Sequence, residues 1–257
     1  MNSPFLNVLH EITSIASMSF SYVELTIEEP HSMLRSLVSM KNEILDLTRS
    51  QGIGLMGHVP WSVEPGPPHH MMSDEYADRL DETIRLAHEL GVGLVTIHPP
   101  MLSRHVHVAD RRRLLRHFII AISRSVSEAQ DVGCAISVEN MDNDSFTMED
   151  FRELFKEVPD LGFTLDVGHA SIGTSKNLSQ DYLTEFGKRL KHVHISDNLG
   201  GYADLHLPIG AGTINIQNVI RAIRRMHYEE TMTLEVFSSD RSYLRISKEK
   251  ISEMLRA

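Results

Sequence analysis

Leu94-Val95-Thr96-Ile97-His98 and Ala135-Ile136-Ser137-Val138-Glu139 share one pattern. One parity carries large aliphatic residues (Val95 and Ile97, Ile136 and Val138), and the other carries a small hydroxyl residue followed by a His or an acid. Side chains alternate between the two faces of a strand, so each quintet sends its polar pair to one side. A parallel strand covered on both faces is expected to be apolar throughout. The same split recurs in Thr164-Leu165-Asp166, His192-Val193-His194-Ile195 and Thr233-Leu234-Glu235-Val236. A repeated exception needs a shared cause.

Around these quintets the chain alternates short apolar runs with longer segments of helical spacing, which predicts repeated βα units on a parallel sheet. Strands are expected over residues 22–28, 54–58, 94–98, 135–139, 162–166, 191–196 and 232–236, with helices over 73–91, 109–133, 147–159, 179–190 and 216–228. Gly52, Gly91, Gly133 and the stretch from Pro159 to Gly162 stand where helices should stop, and Ser73-Asp74, Thr147 and Asn215 stand where they should start. A chain of 257 residues suits a single α/β domain over 1–257, a (β/α)8 TIM barrel. Seven strands are legible where a closed barrel needs eight. A helical pattern over residues 5–18 comes almost at once, so the first strand is expected to be reduced to Met1–Phe5 or missing.

The composition, 41% hydrophobic and 23% charged, is that of a globular protein. No apolar run reaches the length of a membrane span and no signal-peptide pattern opens the chain, so the expectation is a cytoplasmic protein with no membrane partner. A net charge of −10 provides no basic field for nucleic acid, although a bound metal can hold a phosphate on an acidic protein. The lone Cys134 cannot form an internal disulfide and reads as a small apolar residue at a strand start. Histidine, at 15 residues, is in surplus.

His58, His98, Glu139, Asp166, His194 and Glu235 each close or nearly close an expected strand, at intervals of 40, 41, 27, 28 and 41 residues. Those intervals suit successive βα units, which would bring all six to the C-terminal mouth where sites of this fold lie. Imidazoles and carboxylates are the usual ligands of zinc, manganese or iron, and a metal removes the cost of burying them together. Three more potential ligands follow in the loops: His169 in Asp166-Val167-Gly168-His169, and Asp204 with His206 ahead of Leu207-Pro208-Ile209-Gly210-Ala211-Gly212. Of the other histidines, His69 and His70 read as loop residues and His88, His117 and His227 as surface. His192 reads as a deeper interior residue, and His105 and His107 stay unassigned.

Gly57-His58, Ile97-His98-Pro99, Val138-Glu139-Asn140, Leu165-Asp166-Val167-Gly168-His169, His194-Ile195-Ser196-Asp197 and Asp204-Leu205-His206 resemble, in order, motifs of the xylose-isomerase-like superfamily, which joins endonuclease IV (AP endonuclease family 2) with sugar phosphate isomerases and epimerases. Endonuclease IV holds three zinc ions. That resemblance implies one metal on His58, His98 and Glu139, a second on Glu139, Asp166, His194 and Glu235, and a third on His169, Asp204 and His206. The sugar enzymes keep the second metal alone. In them the two glutamates, Glu139 and Glu235 here, move protons at the carbon beside a carbonyl while the metal stabilises the enediolate.

Two functions therefore compete on one set of ligands, with one to three zinc or manganese ions as cofactor. An endonuclease IV-like phosphodiesterase acting on abasic DNA is favoured by the complete set of nine ligands. A small sugar or sugar-phosphate isomerase or epimerase is favoured by an acidic mouth: Glu28-Glu29-Pro30-His31, Asp142 and Asp144 sit where DNA contacts would need cations. Glu24 and His58-Val59-Pro60-Trp61 also resemble the sugar enzymes. On this leading reading Trp61 walls the sugar pocket and Arg104 or Arg241 holds a substrate phosphate. Trp61 as a DNA wedge belongs to the alternative. A metal-dependent binding protein would not need the glutamate pair, and self-association into a homo-oligomer stays open.

Overall fold

The structure is a computed structural model that describes residues 1–3, 5–27, 33–59, 73–102 and 107–256, with the side chains of 73–75 excepted. Seven strands hydrogen-bond in the order of the sequence: β1 (Tyr22–Thr26), β2 (Gly54–His58), β3 (Leu94–Ile97), β4 (Ala135–Glu139), β5 (Gly162–Asp166), β6 (Leu190–Ile195) and β7 (Thr231–Leu234). Pairings of β1 with β2, β2 with β3, β5 with β6 and β6 with β7 are all parallel. All seven expected strands are present, and the differences are confined to one or two residues at their ends. Among the described residues no helix is long and apolar enough to cross a membrane.

The chain divides into two compact units, residues 1–137 with 153–161 and residues 138–152 with 162–257. In the first, α1 (Val8–Ser17), α2 (Leu34–Ser39), α3 (Lys41–Gln51), α4 (Ser73–Glu89) and α5 (Val108–Asp131) alternate with β1–β3. The sequence reading named no helix over the residues of α2 and α3. Gly52 ends α3 with a positive φ of 63°, a conformation glycine adopts without a Cβ penalty. Leu25, Leu80, Ile84 and Ile97 are fully buried between the strands and helices, and Cys134 is buried ahead of β4. Thr96 Oγ1 and Ser137 Oγ lie 3.4 Å apart, so the polar parity of the two opening quintets does share one face.

Asn2 ties the start of the chain to β1. Its backbone N–H donates to the Glu24 carbonyl (3.1 Å), and its side-chain Oδ1 accepts the Thr26 N–H (2.8 Å). One residue thus occupies the outer edge of β1 as a vestige of a strand, its side chain standing in for a second peptide group.

In the second unit, β5–β7 alternate with α7 (Ser179–Phe186), α8 (Ile216–Arg225) and α9 (Ser242–Arg256), and the chain after β4 enters α6 (Met148–Glu157). Thr147 and Asp150 cap that helix reciprocally. The Thr147 N–H donates to Asp150 Oδ2 (2.7 Å), and the Asp150 N–H donates to Thr147 Oγ1 (3.4 Å). Phe146, Phe151, Phe163, Tyr182 and Phe186 form a buried aromatic cluster behind β5, with ring centroids 4.7 to 6.3 Å apart.

Asn2→Ala removes the acceptor of the buried Thr26 N–H. An unsatisfied buried donor costs about 1–3 kcal/mol, so urea unfolding should show a stability loss of that order. An unchanged midpoint would show that the Asn2 contact contributes nothing.

Candidate metal centre

Strand register builds the centre in the second unit. Thr164 pairs with His192 and Asp166 with His194 across β5–β6, and His192 pairs with Thr231 and His194 with Thr233 across β6–β7. The side chains of this parity form two layers. In the lower one, His192 is held by hydroxyls, with Nδ1 2.7 Å from Thr231 Oγ1 and Nε2 3.0 Å from Thr233 Oγ1. It is an interior residue, as its sequence position suggested. In the upper layer stand Glu139, Asp166, His194 and Glu235, the last extending β7 through its N–H to the Ile195 carbonyl (3.1 Å).

These four are buried, and each offers a ligand atom within 4.8 Å of those of the other three. His194 Nδ1 lies 3.1 Å from Glu139 Oε2, 3.2 Å from Glu235 Oε1 and 4.0 Å from Asp166 Oδ2. A second group abuts them. The Asp204 carboxylate receives both neighbouring imidazoles on one oxygen, His169 Nε2 at 3.1 Å and His206 Nε2 at 2.7 Å. His169 Nδ1 lies 3.0 Å from Glu139 Oε1, and His206 Nδ1 lies 3.4 Å from Glu235 Oε2.

Asp204 and His206 are placed by a loop that closes on itself. Asp197 exchanges both backbone hydrogen bonds with Leu207 (2.9 Å each). Its carboxylate accepts the N–H groups of Asn198 (2.9 Å), Gly210 (2.8 Å) and Ile214 (3.1 Å). A side chain at Gly212 would collide with the Asp197 carboxylate and the Asn198 carbonyl, so only glycine fits there. His206 itself has a positive φ of 42°, an uncommon backbone state for a non-glycine residue, and its ring packs edge-to-face on Phe237. Sequence reasoning carried Asp197 and Asn140 inside motifs without giving either a task, since their roles are hydrogen bonds to backbone distant in the chain.

The remaining expected site residues are distributed as follows. His58 and His98 belong to the first unit, their rings in edge contact with centroids 4.7 Å apart. Glu24 is buried on β1 in the same unit. Arg241 is half-buried just before α9. Trp61 and Arg104, together with Glu28–His31, His69, His70 and His105, lie outside the described residues. His88 and His227 are exposed, and His107 caps α5 by accepting the Ala109 N–H at 3.3 Å.

Three buried carboxylates around one imidazole are electrostatically unbalanced. Burial, reinforced by the Glu139 charge, raises the Asp166 carboxyl above its ordinary range. Burial, with Glu139 and Asp166 adding to it, pushes Glu235 up to about 7. Burial opposes a proton on His169 and on His206, yet the carboxylates around them outweigh it and raise both above an ordinary imidazole. Burial also opposes the charge on Asp204, but the two imidazoles hold its carboxyl well below the usual carboxylate range. Asp166 Oδ2 and His206 Nδ1 have no hydrogen-bond partner among the described residues. A divalent cation fits this donor set: it would neutralise the carboxylates and take the place of the protons they otherwise hold.

The metal-free protein should therefore lose stability as pH rises. Glu235 is protonated more readily in the folded chain than at its ordinary 4.5, so its contribution is complete below 4.5 and lost on passing through about 7. A shift of that size is worth at most roughly 3 kcal/mol. Zinc or manganese should reverse the trend, raising Tm more at pH 7.5 than at pH 5.5, because fewer protons compete for the ligands. Thermal unfolding with and without chelator at the two pH values checks this; an equal metal shift at both would contradict it.

The chain is similar to several known proteins. The chain is 28% identical over 259 residues to protein MJ1311 of Methanocaldococcus jannaschii, covering 93% of this chain and 85% of that protein. A ketose 3-epimerase of Arthrobacter globiformis is 26% identical over 125 residues, 46% of this chain and 40% of the epimerase. The crystal structure of a D-tagatose 3-epimerase-like protein superposes with a TM-score of 0.80 at 24% identity, over 97% of this chain and 94% of the other, so the fold is shared. The family description that fits is that of the xylose isomerase-like TIM barrel, which matches residues 12–257, and the chain belongs to that family.

Proposed function

We propose that the protein is a divalent-metal-dependent isomerase or epimerase of a small sugar or sugar phosphate, and within that class a ketose 3-epimerase. One observation carries the reading: Glu139 and Glu235 are both buried against the same nitrogen of His194, at 3.1 and 3.2 Å, within a four-residue ligand group. The ketose 3-epimerase and the D-tagatose 3-epimerase-like protein among the similar chains support the finer assignment.

Inverting a carbon beside a carbonyl requires one group to remove its proton and another to return a proton on the opposite face. Glu139, as carboxylate, takes the proton from that carbon, and the electron pair moves into the adjoining C–C bond and onto the carbonyl oxygen. Glu235, as the carboxylic acid, returns a proton to the other face as the carbonyl re-forms. The reverse reaction exchanges the two roles, oxidation state is unchanged, and proton exchange with solvent returns Glu139 to carboxylate and Glu235 to acid before the next turnover. A divalent cation on Glu139, Asp166, His194 and Glu235 would supply positive charge beside the carbonyl and hydroxyl oxygens, making the proton between them easier to remove. Arg241 is the described cation proposed to meet a substrate phosphate; Trp61 and Arg104 keep the wall and phosphate roles assigned from the sequence.

A second reading rests on the extra group of His169, Asp204 and His206. With His58 and His98 it completes the ligand set of an endonuclease IV-like zinc phosphodiesterase, in which clustered metals activate water against a phosphodiester. Incubation with abasic-site DNA separates the two: the epimerase reading expects the DNA intact, and metal-dependent nicking would replace it.

Glu139→Gln and Glu235→Gln, assayed at saturating metal, should each lower ketose turnover and deuterium incorporation from D2O at the inverted carbon by about 100-fold to 10,000-fold, the usual worth of general acid–base catalysis. Deuterium incorporation at the wild-type rate in both variants would remove the glutamates from the reaction.

A further inference from the structure

The family motif Val138-Glu139-Asn140 places an asparagine directly after a proposed ligand, and its side chain does something the strand ladder alone would not require. In a parallel ladder, a residue donates its N–H to one residue of the neighbouring strand, and its C=O accepts from the residue two further along that strand. The Asn140 N–H follows this rule, donating to the Thr164 carbonyl at 3.3 Å. The partner due to its carbonyl is the Asp166 N–H. That N–H is instead accepted by the Asn140 side-chain Oδ1 at 2.8 Å, while the Asn140 Nδ2 donates to the Asp166 carbonyl at 2.9 Å. The side-chain amide has taken over the ladder position and grips both polar groups of Asp166.

The main-chain carbonyl of Asn140 is thereby released to another use. It lies 3.1 Å from Nδ1 of His169. Glu139 Oε1, 3.0 Å from that nitrogen, is also an acceptor, as is Asp166 Oδ1 at 3.8 Å. With acceptors on both sides, Nδ1 carries a proton, while Nε2 faces the Asp204 carboxylate at 3.1 Å. A ring nitrogen bonded to a carbonyl is the usual device for fixing the tautomer and orientation of a metal-binding histidine.

We infer that Asn140 is a positioning residue that couples the two ligand groups: by substituting its side chain for its main chain in the β4–β5 ladder at Asp166, it frees its carbonyl to orient His169. Asn140 is fully buried and belongs to none of the groups of described residues that could hold a metal. This goes beyond the proposed epimerase chemistry and rests on it only where it speaks of metal affinity.

The test uses the full chain with Asn140→Ala and Asn140→Asp. Alanine removes the substitute acceptor, so the residue-140 carbonyl returns to the ladder to take the Asp166 N–H and leaves His169. Aspartate keeps the acceptor. In imidazole 1H–15N spectra of the metal-free protein, assigned with a His169→Asn variant, the wild type should show a slowly exchanging His169 Nδ1–H. Asn140→Ala should exchange that proton at least about tenfold faster, and Asn140→Asp should keep it slow. Zinc titration should show Asn140→Ala binding about 10- to 100-fold more weakly than wild type, the usual effect of losing an outer-shell partner. An Asn140→Ala protein that keeps both the slow proton and wild-type zinc affinity overturns the inference. If alanine does not fold, rapid exchange of the His169 proton in Asn140→Asp overturns it by itself. A wild type that binds no zinc would sink the metal reading, while the exchange measurement would still judge Asn140.

Discussion

The burial of Glu139, Asp166 and Glu235 around the single imidazole of His194 is the constraint on which the rest of the second unit depends. Three carboxylates out of water repel one another and lose hydration, a cost several times the stability of an average interaction. The chain's own groups favour two responses. Protons are retained on groups that ordinarily release them, and His169 and His206 are drawn in as partial counter-charges. A divalent cation answers the same imbalance more completely, because one ion offsets two carboxylates and supplies directional bonds to the others.

A centre of this kind must be rigid, since a loose carboxylate would turn back to solvent. The register of β5, β6 and β7 sets the spacing of Asp166, His194 and Thr233, and His192 with its two threonine hydroxyls fills the layer beneath without leaving its nitrogens unsatisfied. The loop after β6 is stiffened from within by Asp197, and from outside by α9, where Ser247 Oγ accepts the Ile209 N–H (3.1 Å) and Lys250 Nζ donates to the Ile209 carbonyl (2.6 Å). The positive φ of His206 is tolerated inside this frame. A strained residue held by its surroundings at a cluster of ionisable groups is the usual mark of a functional position.

Much of this was legible in the sequence because strands advertise themselves by parity. Thr164, Asp166, His192, His194, Thr233 and Glu235 share one parity, and the register places them on one face as that alternation required. What the sequence could not display were contacts whose partners are backbone atoms. Asn140 gripping the peptide groups of Asp166 and Asp197 gathering three N–H groups leave no periodicity, and an asparagine or aspartate in a motif reads equally well as a ligand or a turn. The N-terminal question was of the same kind. A strand reduced to Asn2 has no alternation to detect, and its hydrogen bonds to Glu24 and Thr26 of β1 reveal it. The two helices within residues 34–51 meet at Met40, with no glycine or proline to announce the boundary.

The central claim is that the buried carboxylates hold a divalent ion, and anomalous diffraction tests it most directly. Crystals equilibrated with manganese and measured at its absorption edge should give a peak bounded by Glu139, Asp166, His194 and Glu235, about 2.0 to 2.3 Å from their ligand atoms. Absence of a peak there at saturating manganese, and again at saturating zinc, would contradict the account and leave the cluster a proton-sharing network.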